Sequence, residues 1–295
     1  MTEDNGVGML CAILSGVMNA FGAILQKSAV NRIPPTNRDK HFMRQLLLSP
    51  AWLSGLGASM GLGTVFNLSA QRLIGPAMVP GLTASGMIVL AVGSVKLIGE
   101  KLKPGEVLGI VLLVFGISLL GYANLGISGQ SVDLLDGQLL LRIGLFSLGL
   151  GLCWMLFYFL ALRSQDQPRG LVLAFSGAFL FCLSNLWILP LMLTIGPVFA
   201  GRAVLPEAVL FVLACLLLVG TNVAGIRQVQ EAYKFAPASK VQPMQQIPTQ
   251  IVPVLIYFLV FQRSASGLAA LFIPLAVSLI IAGGFLLGKR RAELK

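Results

Sequence analysis

Apolar residues run along this chain in blocks of transmembrane length, not in the alternating or one-faced patterns of soluble elements. Crossing about 30 Å of hydrocarbon at about 1.5 Å per residue takes roughly 20 helical residues. On that criterion the pattern predicts nine helices. They cover Gly6 to Val30, Pro50 to Leu73, Ala77 to Gly99, Gly105 to Leu125 and Leu139 to Leu162. The rest are Gly170 to Ile195, Pro206 to Arg227, Lys240 to Phe261 and Gly267 to Gly288. Pro34-Pro35, Pro76, Pro104, Pro168, Pro197 and Pro237 fall between runs or at their starts, as helix breakers do. The expected fold class is an all-α polytopic membrane protein.

Composition agrees with the pattern. Hydrophobic residues make up 56% and charged residues 11% of the chain, where a soluble surface needs roughly a quarter charged. The net charge of +10 is then a topology signal before it is a nucleic-acid signal, and no nucleic-acid partner is expected. With the N-terminus outside, the cytoplasmic side collects Arg32, Arg38, Lys40, Arg44, Lys101, Lys103, Arg163, Arg169, Arg227, Lys234, Lys240, Lys289, Arg290, Arg291 and Lys295. The outer side receives only Arg72, Arg142, Arg202 and Arg263. The positive-inside rule therefore predicts N-out, C-in. Lys27 and Lys96 lie in spans near their cytoplasmic ends, where they either snorkel to water or attract anions in a vestibule. The acidic start MTEDNGVG and the long first run do not fit a cleavable signal, so the first run is read as a helix of the mature chain. The expected setting is a multi-pass position among membrane lipids, which in a bacterium means the plasma (inner) membrane.

Two stretches look like copies of one unit, Gly75 to Tyr122 and Ala236 to Gly284. Each has Pro-Ala at the mouth of a helix, a short polar break, then a helix studded with glycine. Such internal repeats are the usual build of secondary transporters, with the site between repeats near the midplane. The halves are expected at 1–126, with four helices, and 127–295, with five, in one integrated membrane domain.

The stretch GEKLKPGEVLGIVLLVFGISLLGY resembles the end of each half in the drug/metabolite transporter (EamA-like) superfamily, where an acidic-basic turn precedes a glycine-rich last helix. Within it the chain is most similar to the NIPA-type branch, which has nine helices. Gln26-Lys27 at the end of a short first helix, Gly63 to Asn67 before the Pro76-Ala77 turn, and the polar run from Asn222 to Pro237 carry that likeness. The resemblance implies alternating access between two halves and, for this branch, magnesium transport. The chain departs at Thr64, where an acid is expected, and at FQRSASG, which replaces the acidic turn in the second repeat.

Candidate chemistry is uncharged. No acid sits mid-span; Glu231 comes closest and is expected to pair at helical spacing with Arg227 and Lys234. A bare divalent cation prefers carboxylates, so the acid-poor interior weighs against a protein-held metal. His41 is the lone histidine, and Cys11, Cys153, Cys182 and Cys215 read as small buried hydrophobes. No cofactor is expected. Neither is a catalytic set, since a lipid-modifying enzyme would need clustered acids or a nucleophile-base pair.

What remains is an amide and aromatic set. Asn19 and Asn185 lie mid-helix, and Gln242, Gln245, Gln246, Thr249 and Gln250 share most of one face of a helix interrupted by Pro243, Pro248 and Pro253. Trp154 and Tyr158 could wall a cavity, and Asn67 and Asn222 precede the Pro-Ala turns. The expected substrate-binding set is Asn19, Trp154, Tyr158, Asn185, Asn222, Gln242, Gln246, Thr249 and Gln250. Interhelical hydrogen bonding is the competing explanation for these amides. The pairs Gly57/Gly61 and Gly105/Gly109 mark either packing within one chain or a homodimer interface. The leading expectation is a secondary transporter of a small polar or amphipathic solute; the alternative is a magnesium transporter.

Overall fold

The computed structural model describes residues 3–34, 42–74, 79–123, 134–265 and 267–288. His41, Pro35, Arg38, Asp39, Lys40, the Pro76-Ala77 turn, Asp133, Glu293 and the basic residues Lys289, Arg290, Arg291 and Lys295 lie outside the described residues.

The described residues are helical, with no strand among them. α1 spans Glu3–Arg32 and α2 is the short Phe42–Leu47. α3 (Pro50–Leu56) runs through a π-helical segment, Gly57–Gly63, into α4 (Thr64–Ile74), forming one rod. α5 (Val79–Ala84) and α6 (Gly86–Gly93) likewise form a rod that ends in a π turn, Ser94–Ile98. α7 is Pro104–Tyr122, α8 Gly137–Arg163, α9 Asp166–Phe199 and α10 Leu205–Phe235. α11 (Ala238–Leu255) ends in a third π segment, Ile256–Val260, and α12 is Leu268–Gly288.

Seven of these helical stretches are long and apolar enough to cross a membrane. Two more rods of similar length, 50–74 and 238–260, are too polar to join that set. The burial pattern is that of a protein in lipid. Leu145, Leu148 and Leu152 of α8 and Leu216, Val219 and Val223 of α10 are exposed, while Gln228, Gln230 and Ser176 are buried. In water such outward apolar faces would aggregate; in hydrocarbon they cost nothing, and polar groups must turn inward to find partners. This is a multi-pass integral membrane protein.

α1 is central to the first part of the chain, packing on α3, α4, α5 and α6 and touching α10 and α11. α9 sits between α8, α10 and α11, and α7 lies along α12. Small residues set the closest approaches. A Cβ built on Gly86 would stand 2.2 Å from the Gly16 carbonyl oxygen, so α1 and α6 touch backbone to backbone. Gly109 of α7 and Gly283 of α12 meet in the same way: a Cβ built on either would stand 2.9 or 2.6 Å from the other's carbonyl oxygen. Gly57 and Gly61, by contrast, face open space. They belong to the π segment and make no close contact.

Several sequence-predicted boundaries move. α10 continues eight residues past Arg227 to Phe235, which brings Glu231 and Lys234 inside a helix. Glu231 takes Arg227 at 3.4 Å, whereas Lys234 lies over the Phe42 ring, 3.8 Å from its centre. Pro197, expected to break a helix, lies inside α9 with Pro190. The Thr194 hydroxyl donates back to the Pro190 carbonyl at 2.7 Å, and the helix runs on past both prolines. The first helix is long, 30 residues.

Candidate functional site

A cavity of about 380 Å³ opens inside the bundle, walled by α1, the α3–π rod, α5 and α6, α9, α10 and α11. The two polar rods are the walls that distinguish it. Ser59, Met60 and Thr64 come from the 50–74 rod, and Gln242, Gln245, Gln246 and Gln250 from α11. Asn19 and Gln26 face them from α1. The polarity that keeps these rods from reading as simple spans is therefore spent on the cavity wall. Three prolines interrupt α11, and π segments interrupt the 50–74 rod and the end of the α11 rod; such interruptions recur at functional sites in membrane helices.

Four residues of the expected binding set line this cavity: Asn19, Gln242, Gln246 and Gln250. The other five lie elsewhere. Thr249 turns back to its own helix, donating to the Gln246 carbonyl at 3.0 Å. Trp154 stacks on Tyr158, 5.9 Å between ring centres, and donates its indole N–H to Gln228 Oε1 at 3.0 Å. Gln228 in turn donates to Ser176 Oγ (2.7 Å) and the Leu173 carbonyl (3.1 Å), tying α8, α9 and α10 together. Asn222 donates to Ser184 Oγ at 2.6 Å, joining α10 to α9. Asn185 is exposed on α9. Asn67 accepts from Gln71 at 2.5 Å within α4.

Gln26, Ser59 and Gln230 were not expected in the site, yet they extend its polar wall. Gln230 Nε2 donates to Gln26 Oε1 at 2.5 Å, and Gln26 Nε2 donates to Ser59 Oγ at 3.4 Å. The signal available in sequence was an amide at the polar end of an apolar run, Gln26 beside Lys27 and Gln230 within the polar run from Asn222 to Pro237.

Below this lies a polar clasp on the break between α10 and α11. Lys27 is 7% exposed and donates from Nζ to the Tyr233 and Ala236 carbonyls, at 2.9 Å for Ala236. It neither snorkels nor lines a vestibule. A cation at the C-terminal end of α10 complements both its unsatisfied carbonyls and its dipole. On the other side of the break, Pro237 has no capping side chain for α11. Glu100 supplies the cap: its carboxylate accepts from Ala238 N (2.7 Å), Ser239 N (3.1 Å) and Ser239 Oγ (2.6 Å). Glu106, buried at the start of α7, accepts from Lys103 N and pairs with Lys240 at 2.5 Å. The acidic turn before α7 thus holds the start of α11. At the far end of the rod that α11 begins, Arg142 Nη1 donates to the Val260 carbonyl at 3.0 Å.

Membrane-length helices around an amide-lined internal cavity, with polar broken rods forming its wall, are the build of a membrane transporter. Residues 3–292 match the family described as Magnesium transporter NIPA, and the chain belongs to that family. This is a transporter family and not an enzyme family. A relative from Arabidopsis thaliana, named probable magnesium transporter NIPA6, is 32% identical over 117 residues, which cover 39% of this chain and 35% of that protein. The match spans about a third of that relative's length. No solved structure matches.

Proposed function

We propose that this protein carries Mg²⁺ across a membrane, with the amide-lined cavity between α1, α11 and the 50–74 rod as its binding site. The observation that carries the reading is that cavity itself, formed by the two most polar rods in a chain of the magnesium transporter family. The family favours the ion over the small polar or amphipathic solute that the acid-poor interior suggested. The acids that are described near the cavity have other tasks: Glu100 and Glu106 hold α11, and Glu231 pairs with Arg227. Amide and hydroxyl oxygens are left to meet the cation, and Mg²⁺ accepts such sites because it keeps several of its own waters.

Nine membrane-crossing rods, with the N-terminus outside and the C-terminus inside, fit the charge asymmetry. Two related halves are supported by a shared local plan. Residues 79–122 and 238–288 each contain a rod ending in a five-residue π turn, a non-helical break, and a closing helix. The two closing helices, α7 and α12, pack on each other. Alternating access would rock these halves about the cavity. On this topology the Lys27–Glu100–Glu106 clasp seals the cytoplasmic end. Expression in a bacterium lacking its own magnesium uptake tests the reading. Growth at limiting Mg²⁺ is the expected result, and no rescue despite verified expression would refute it.

A further inference from the structure

We infer that Tyr233 is a positioning residue that couples the cavity to the cytoplasmic clasp; this rests on the magnesium reading above. An ion held at Gln242 keeps the clasp shut, and opening the clasp dismantles the ion's site. Tyr233 is wholly buried near the end of α10 and takes part in both structures. Its hydroxyl accepts from Gln242 Nε2 at 2.7 Å, and Gln242 lines the cavity from α11. Its carbonyl accepts from Lys27 Nζ, the same ammonium that donates to the Ala236 carbonyl at 2.9 Å. The hydroxyl-to-amide bond spans nine positions, from α10 to α11, across the break that Glu100 caps at Ala238 and Ser239. The clasp meets the wall on α1 as well: Lys27 follows Gln26, a wall residue tied to Gln230 and Ser59.

A phenylalanine would fill the same space without a polar atom to satisfy, so the hydroxyl is the informative part of this side chain. It holds the Gln242 amide by its nitrogen, and the end that remains for a cation is the carbonyl oxygen. Mg²⁺ takes such oxygens directly or through a water it retains. A cation on that oxygen polarises the amide and makes its N–H a stronger donor, because linked hydrogen bonds reinforce one another in a low dielectric. Ion and Tyr233 therefore support each other. When α11 swings away from the end of α10, the bond to Tyr233 breaks, Gln242 loses its fixed orientation and affinity for the ion falls. A ligand shifts a conformational equilibrium by its difference in affinity between the two states, and the coupling is reciprocal. Occupancy thus holds the break closed, and opening releases the ion toward the cytoplasm.

The test follows backbone hydrogen exchange of the full chain in lipid nanodiscs, with and without Mg²⁺, over the stretch 238–241. Its amides donate to Glu100 and to the Pro237 carbonyl, so they exchange when the start of α11 lets go. The stretch 204–208, at the opposite end of α10, is the reference that Mg²⁺ should leave unchanged. In the parent, saturating Mg²⁺ should slow exchange at 238–241 by about threefold to tenfold, the effect of one hydrogen bond. Tyr233→Phe keeps the ring and loses the acceptor, and the slowing should vanish at Mg²⁺ saturating for that variant. Gln242→Leu breaks the same bond from the other side and should also lose it, which serves where the Phe variant does not fold. Parent-like slowing in either folded variant overturns the inference, as does equal slowing at 204–208. Should Mg²⁺ enter liposomes yet leave exchange at 238–241 of the parent unchanged, the coupling fails with the magnesium reading intact. If no Mg²⁺ enters above the rate of empty liposomes, the magnesium reading falls, and the inference with it.

Discussion

Replacing Glu100 by alanine should open the cytoplasmic end of the cavity. α11 begins after Pro237, which offers no capping side chain, so its first amides depend on a carboxylate 138 residues away. The substitution removes three hydrogen bonds, two to backbone N–H and one to the Ser239 hydroxyl. Loss of a helix N-cap costs about 0.5–2 kcal/mol, and a carboxylate on a partly buried helix N-terminus adds up to about 2 kcal/mol through the dipole. These contributions overlap, so a combined figure of about 2 kcal/mol is appropriate, which at about 1.4 kcal/mol per tenfold shifts the open population roughly thirtyfold. The assay places a cysteine at Ala23, a buried wall residue of α1, in a chain whose Cys11, Cys153, Cys182 and Cys215 have been replaced. Its alkylation by a membrane-impermeant maleimide is timed from the cytoplasmic face. Glu100→Ala should speed labelling by about tenfold or more, with Glu100→Gln in between because it keeps the acceptor and loses the charge. Unchanged labelling in a folded Glu100→Ala variant would refute the clasp as a seal.

Gly86→Ala should destabilise the protein by about 1–3 kcal/mol, because the added Cβ would meet the Gly16 backbone and has no flexible neighbour to displace; thermal unfolding in detergent and expression level read this out. Gln228→Leu should cost about 1–3 kcal/mol by the same measurement, since it leaves the Trp154 indole N–H without its acceptor in the interior of the helix bundle. Arg227→Ala should shift stability by less than about 1 kcal/mol, because its pair with Glu231 leaves the Arg side chain 67% exposed.

Much of this was legible along the chain. The apolar runs located the helices because a membrane span must satisfy every backbone group within itself, which makes the signal local. The polar face of α11 pointed at the cavity for a related reason: amides at spacings of three and four in an apolar setting must face protein or water. Asn19, Gln242, Gln246 and Gln250 follow from that rule. The clasp does not. Lys27 near a helix end reads as a snorkelling residue until the carbonyls of Tyr233 and Ala236 are brought to it from more than 200 positions away. Glu100 and Glu106 likewise look like a charged loop until α11 is docked on them. Trp154 and Asn222 were misplaced by the opposite error, since a polar or aromatic side chain in a span can be fully used by its neighbours, here Gln228 and Ser184. Periodicity shows which face a residue occupies; it does not show which partner waits there.

The central claim is best tested by reconstituting the purified chain and its Gln246→Ala and Gln250→Ala variants at equal density in liposomes and measuring Mg²⁺ entry. The account predicts saturable entry above empty liposomes for the parent and a loss of about tenfold in each variant, the effect of removing one polar contact to a charged ligand. Entry at the empty-liposome rate for a folded parent, or parent-like entry in both variants, would contradict it.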